Sequence, residues 1–508
     1  MFFLHEITFA QTQLPLSSSN AAFQVLVFSK TTDYRHDAIT NGIAAIKTMG
    51  ALNNFAVVAT EDARAFAETN LAGFKVVVFL LTSGEVLGAN QQTALQRFIQ
   101  AGHGFVGVHS ASATEMNWPW YIGLVGAALS NHSAVVSARI QLEDANHPST
   151  DFLPQPWTRT DEWFNYSPNP RPNVHVLLRL DESSYTGGTM GDHPIAWCHE
   201  YEGGRAWFTG LGHADTTYND PLFRRHLLGG IQYASGGAFT PPPGARMLFD
   251  GTNTTEWVQS SGSAPIPWPI VNQALQTDPA SGNIQTVETF QDFRLHVEFS
   301  IPPSAPGTAE GSLGNSGIYL QRRYEIQIME SYGRPISGFN DSGALYGIRD
   351  PSSNASVPTG KWETFDIIFR AARWAGNVKT ASALVTLYWN TVLVQNNVSI
   401  STSTSGGDAE GPSAGPVQLQ ALVGAVKFRN LWVQGTIANP PRLKLARNGQ
   451  NLLLSWPIAP GGFQVQSRER LDTPWTPVFD LPAIIDQSNV LTRQGAGATE
   501  FFRLFRAQ

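Results

Sequence analysis

Three short runs, "FQVLVFS" (23–29), "FKVVVFLLT" (74–82) and "GFVGVHS" (104–110), are apolar at nearly every position. A strand with no polar face cannot turn one side to water, so such runs belong in a parallel sheet covered on both sides. The cover is written between them. "AITNGIAAIKTMG" (38–50) and "NQQTALQRFIQAG" (90–102) read as helices closed by Gly50 and Gly102. Residues 23–236 are therefore expected to form an α/β domain, and sheets of this kind bind ligands beyond the carboxyl ends of their strands.

The pattern changes after "GGAFTPPPGAR" (236–246), where three consecutive prolines mark a linker. Residues 246–436 carry short alternating runs such as "FRLHVEFSI", "YEIQIME", "TFDIIFRA" and "VKFRNLWVQ", separated by polar turns. That is the pattern of an antiparallel β-sandwich. A second linker, "GTIANPPR" (435–442), precedes a small β module over 440–508, and "STSTSGGDAEGPSAG" (401–415) reads as a low-complexity loop. Residues 1–22 are expected to be a leader or the remnant of a signal peptide. The 508 residues, 42% apolar, suffice for three such units. The net charge of −7 and the lack of a basic run argue against nucleic acid as a partner. No apolar run is long enough to span a membrane. Cys198 is the only cysteine, which rules out an intrachain disulfide and a cysteine-based metal cluster.

Polar residues gather at the expected strand ends of the first domain. They are His36 in "DYRHD", His109, Asp161 and Glu162 in "RTDEWFNY", Asp192 and His193 in "GDHPIAW", and His213 and Asp215 in "GLGHADTTY". Imidazoles and carboxylates converging on one edge can bind a metal or carry out acid–base chemistry. His103, His147, His175, His199 and His226 show no such placement and are read as structural. The stretches "VLVFSKTTDYRHDAI", "GFVGVHSAS", "NWPWYIGLVG", "RTDEWFNY", "DHPIAW" and "GRAWFTGLGHAD" together resemble the ThuA-like (trehalose utilisation) family, a branch of the class I glutamine amidotransferase-like, flavodoxin-like α/β fold. The resemblance implies a role in sugar utilisation, particularly of 3-keto sugars. Placement at the strand ends makes His109 the catalytic candidate, with His36, Glu162, Asp192, His193 and His213 around the substrate. His109 stands at the elbow where amidotransferases carry a cysteine, which speaks against thiol chemistry. "SNHSAV" departs from the family pattern, with His132-Ser133 in place of His-Pro.

In the sandwich, residue parity separates two faces. Ile318, Leu320, Tyr324, Ile326, Ile328, Val417 and Leu419 fall on one side; Tyr319, Gln321, Glu325, Gln327, Gln418 and Gln420 fall on the other. Amides, a carboxylate and a phenol ring suit a sugar, whose hydroxyls both donate and accept. The motifs "RMLFDGTNTTEWV", "GNSGIYLQRRYEIQIMESYG", "GALYGI", "NASVPTGKWETFDIIF" and "VTLYWNTVLVQNN" resemble the 3-keto-disaccharide hydrolase family, a concanavalin-like jelly roll. The substrate class this implies sets the chemistry. A ketone at C3 acidifies the C2 proton, a base removes it, and the enolate expels the C1 substituent; water then adds. Glu325 is the first candidate for that base and Glu330 the second. Asn315, Tyr319, Gln321, Gln327, Gln418 and Gln420 would orient hydroxyls, and Lys361 would polarise an oxygen. A divalent metal ion is compatible with this face, but the sequence assigns it no ligands and requires no cofactor. Where the family often reads Leu-Gln-Asp-His-Gly, this chain has Ala421 and Leu422. The C-terminal module, "LLLSWP…FQVQSRERLDTPWTPV…FFRLFR", is fibronectin-like and resembles appendages of secreted enzymes, so a periplasmic or extracellular location is expected, with the cytoplasm as the alternative. Two non-enzymatic readings stay open: a carbohydrate-binding protein without turnover, and a surface adhesion protein. Linkage, anomer and oligomeric state are not legible.

Overall fold

The structure is a computed structural model. It describes residues 21–437 apart from 263, 304–313 and 339, and beyond them the segments 443–448, 451–457, 463–470, 473–478, 483–485, 488–494 and 501–506. All but the last two residues of the expected leader, and residues 438–442 of the second linker, lie outside these.

The first domain begins as alternating strand and helix: β1 (Phe23–Phe28), α1 (Ile39–Leu52), β2 (Phe55–Thr60), the single turn α2 (Glu68–Leu71), β3 (Val76–Leu80), α3 (Ala89–Gln100), β4 (Gly104–Val108) and α4 (Pro119–Val125). Then come β5 (Ala128–Leu142), β6 (Trp157–Ser167), β7 (His175–Asp181), β8 (His193–Tyr201) and β9 (Gly204–Thr209), with no α-helix among them, and α5 (Pro221–Ser235). All nine strands form one sheet in the order β2-β1-β3-β4-β9-β8-β7-β5-β6. β2, β1, β3, β4 and β9 are parallel, the flavodoxin-like order. Every residue of β3 is fully buried, and each such aliphatic side chain contributes roughly 1.5–3 kcal/mol.

The expectation of a parallel sheet throughout 23–236 holds only for this half. β8, β7, β5 and β6 are antiparallel to their neighbours. The physical reason is visible in β5, which exposes much of its length, and strands with one wet face pair antiparallel. "RTDEWFNY" accordingly lies inside β6 rather than after a strand.

The second domain is a sandwich. Its eight-stranded sheet contains the neighbouring strands Lys427–Ile437, Phe290–Ser300, Trp362–Arg370, Ala383–Trp389 and Val392–Ile400. Its five-stranded sheet runs Trp257–Gln259, Ile284–Thr286, Gln418–Leu419, Asn315–Leu320 and Tyr324–Met329. Between them lies a core that includes Phe293, Phe299, Ile318, Ile326, Phe365 and Phe428.

The two domains are packed together. Phe239, in the linker, stacks on Phe23, and Val357 of the sandwich enters the first domain's core. Arg294 donates to the carbonyls of Ala51 and Leu52 at 3.0 and 2.7 Å. These are carbonyls of the last turn of α1, which lack helical partners and attract cations. Arg224 donates to Thr391 and Arg225 to the Trp362 carbonyl. In the C-terminal module, strands Lys444–Asn448, Asn451–Pro457, Ala483–Ile485 and Ser488–Gln494 form one sheet and Phe463–Arg468, Thr476–Pro477 and Phe501–Arg506 another. Leu454, Trp456, Val465 and Leu491 make its small core. Among the described residues no helix is long and apolar enough to cross a membrane.

Candidate functional site

Two clusters stand out, one in each large domain. In the first, β4 ends in a sharp turn at His109, whose φ of +52° lies in the left-handed region that non-glycine residues avoid. His109 is fully buried, and its Nδ1–H donates to the Gly210 carbonyl at 2.8 Å. Nε2 therefore points the other way, 3.5 Å from Glu162 Oε2 and 3.4 Å from His213 Nδ1. His213 Nδ1 is also 3.4 Å from Glu162 Oε2. His36, from the loop after β1, places its ring 4.9 Å from that of His109 and 5.0 Å from that of His213. One donor atom from each of the four residues lies within 4.8 Å of the others.

Burial pushes His36 down to about 3, helped by the two neighbouring imidazoles, so its ring is neutral. His213 is raised by its hydrogen bond to Glu162. Burial of Glu162 works to raise its carboxyl, but hydrogen bonds from His109 and His213 outweigh it and hold the group well below the usual carboxylate range.

Asp161 supports this arrangement from beneath. It is fully buried, and its carboxylate accepts the backbone N–H groups of Glu162, Gly212 and His213 at 2.9, 2.9 and 3.1 Å. β5 carries a bulge between His132 and Val135 opposite this point, and bulges re-aim side chains. Ser133 sits in it and accepts the Trp163 N–H, a bond to a side-chain oxygen that the proline of the family pattern lacks. His132 then reaches Glu162 Oε1 at 3.0 Å. Sequence reasoning noted "SNHSAV" as a departure but did not place His132 at the site.

Three residues expected here are elsewhere. His193 is fully buried with its ring nitrogens 2.8 Å from Glu182 Oε1 and from the Phe164 carbonyl, leaving no atom for a ligand. Asp192 is paired with Arg171. Asp215 opens the short turn Asp215–Asn219. Of the histidines read as structural, His226 is buried and bonded to Ser149 and Thr209, His199 to Leu124, and His175 to Asp144.

The second cluster is a cleft of about 500 Å³ on the outer face of the five-stranded sheet. Asn315, Tyr319, Glu325, Gln327 and Gln420 line it, as the parity reading expects, together with Asp341, Tyr346 and Leu422. Tyr319 and Glu325 are cross-strand partners. The Tyr319 hydroxyl donates to Glu325 Oε2 at 2.8 Å and accepts from Gln420 Nε2 at 3.4 Å. Burial pushes the Glu325 carboxyl up to about 7 against the opposing effect of the Tyr319 hydrogen bond. The carboxylate lies across Gly317, where a Cβ would meet Glu325 Oε1 at 2.2 Å. Asp341 and Tyr346 were missed because they arrive from the irregular segment 330–350, which has no strand period to read.

Other sequence candidates fall outside the cleft. Gln321 sits in the tight turn between strands Asn315–Leu320 and Tyr324–Met329 with φ of +56°, which ends the alternation, and its amide donates to the Phe290 carbonyl. Gln418 is buried in register with Tyr319 but does not line the cleft. Glu330 lies past the strand and is paired with Arg334 at 2.6 Å. Lys361 donates to the carbonyl of Asp151 in the first domain. Leu422, 51% exposed, presents an apolar side chain to the cleft where the family pattern has a polar pair.

No curated protein matches the chain. Residues 24–234 match the model of the ThuA family, trehalose utilisation, and residues 244–434 that of the 3-keto-alpha-glucoside-1,2-lyase-like domain. Among solved structures, a candidate glycosyl hydrolase from Parabacteroides distasonis is 32% identical over 40% of this chain and 87% of its own, with a TM-score of 0.37. A ThuA-like protein from Bacteroides uniformis is 21% identical over 43% of this chain and 93% of its own, also with a TM-score of 0.37. With both family models matched in tandem, the chain is a ThuA-like domain followed by a 3-keto-disaccharide hydrolase-like domain, two carbohydrate-related families in one polypeptide.

Proposed function

We propose that the sandwich domain cleaves 3-keto-glycosides by elimination. The observation that carries this reading is the Glu325 carboxyl, buried at the floor of a polar cleft and held near neutrality. A base with a pKa near the working pH combines a useful ionised fraction with proton affinity. Glu325 takes the proton from C2 of the sugar. The electron pair of that C–H bond passes through the C3 enolate into a C1–C2 double bond, the C1–O bond breaks, and the departing oxygen takes up a proton. The products are a free alcohol or sugar and an unsaturated keto sugar, to which water then adds. Gln420, Gln327 and Asn315 supply donors for the ketone and hydroxyl oxygens, and the Tyr319 hydroxyl orients Glu325. The ThuA-like domain binds or processes a related keto sugar at His36, His109, Glu162 and His213.

Incubation with a chromogenic 3-keto-glucoside tests the reading through release of the aglycone. Because the base must be ionised, kcat/KM is expected to rise tenfold per pH unit and level off above about 7. A flat profile across pH 5–8 counts against Glu325 as the base. Binding without release supports the alternative of a non-catalytic carbohydrate-binding protein, for which the apolar Leu422 in the cleft is the specific observation.

Gly317→Ala supplies a separate check. The added methyl must push the Glu325 carboxylate aside, and misplacing a reacting group by about 1 Å costs on the order of 100-fold in rate. The variant is expected to fold and to lose about that factor; full activity would show that the carboxylate need not lie across position 317.

A further inference from the structure

We propose that His36, His109, Glu162 and His213 hold a divalent first-row transition metal ion of the zinc class at the carboxyl ends of β1, β4 and β9. The geometry is the main support. His109 Nε2, His213 Nδ1 and Glu162 Oε2 form a nearly equilateral triangle with edges of 3.4, 3.4 and 3.5 Å. A tetrahedral ion with bonds of about 2.1 Å needs its donor atoms about 3.4 Å apart. The triangle therefore matches one face of such a tetrahedron. All three edges lie at the long limit of hydrogen-bond contact, and one shared ion accounts for their near-equality.

The surrounding contacts prepare these atoms to bind. His109 gives its Nδ1–H to the Gly210 carbonyl, which leaves the lone pair on Nε2 facing inward. His132 Nδ1 lies 3.0 Å from the outer oxygen of Glu162, and Asp161 clamps the backbone of both Glu162 and His213. Bonds of this kind to the remaining atoms of the ligands are the usual support of a metal site. His36 is 5% exposed and its Nδ1 has no hydrogen-bond partner, a cost that buried polar atoms rarely carry without a ligand. Three imidazoles and one carboxylate, with no thiolate, select zinc, cobalt, nickel or iron over magnesium or calcium. Tyr34, 63% exposed, packs edge-on against the His36 ring.

The test uses the full chain, stripped with a chelator and titrated with Zn²⁺ and Co²⁺. A single equivalent of either ion is expected to bind, with Co²⁺ giving the strong visible absorption of a four- or five-coordinate site. His213→Gln and Glu162→Gln are each expected to weaken binding by at least about 100-fold, and Asp161→Asn by about 10-fold. Glu325→Gln should bind the metal as the parent does, which keeps this result separate from the lyase reading. If His213→Gln fails to fold, the Co²⁺ spectrum of the parent chain decides: absorption without imidazole ligation overturns the proposal. Absence of stoichiometric uptake, or uptake indifferent to these substitutions, also overturns it.

Discussion

Glu325→Gln is expected to abolish aglycone release and to make the protein more stable. Loss of a positioned general base lowers the rate by about 100- to 10,000-fold. The gain in stability comes from the same burial that tunes the carboxyl. Between 4.5, where the unfolded chain ionises, and about 7, where the folded one does, the folded state binds the extra proton. Stability therefore falls as pH rises through that window. Above it the parent carries a penalty of about 3 kcal/mol that glutamine does not. Thermal midpoints at pH 4 and pH 8 check the sign: the two proteins should coincide at the first and separate at the second, with the variant higher. A variant that is inactive but no more stable at pH 8 would place Glu325 in a wetter setting than the cleft provides.

The second large effect is expected where the domains meet. Asp366, 2% exposed, lies 3.0 Å from His296 Nδ1 and 3.4 Å from Arg294, the residue that caps α1. Burial works against a charged His296, but Asp366 and Glu298 overcome it and push the imidazole up to about 9. Asp366→Asn leaves two buried cations without their partner, and breaking a buried pair costs about 3–5 kcal/mol. The pH dependence is diagnostic. His296 is raised from 6.5, so its stabilisation is complete below that value and is lost as pH rises through about 9. Denaturation at pH 6 should separate parent and variant by about 3 kcal/mol more than denaturation at pH 10. Equal separation at both would show that His296 is not charged in the folded state.

Legibility followed the physics of each segment. β3, β4 and the last four residues of β1 were readable because strands buried on both faces are apolar throughout. The antiparallel strands were not, since the half-wet β5 carries mixed residues and "RTDEWFNY" in β6 looks like a loop in isolation. His36, His109, Glu162 and His213 could be singled out by chemistry, but their convergence depends on the register of β6 and on a bulge, neither of which has a local signature. In the sandwich, parity placed Tyr319, Glu325 and Gln327 on one face. It failed at Gln321, where a left-handed turn ends the alternation. Lys361, expected to polarise a substrate oxygen, could not be placed from the sequence either, because its partner belongs to another domain and lies 210 residues away in the chain.

Gly317 carries a meaning for chains other than this one. With Glu325 as the base, any larger residue at that position forces the carboxylate to shift from where it lies, while the polar cleft around it can remain. Relatives can then be ranked by a single letter of sequence, those with glycine there being expected to turn over faster than those without. Glycine and alanine codons differ by one base, so on the proposed mechanism a single mutation is enough to slow the reaction about 100-fold.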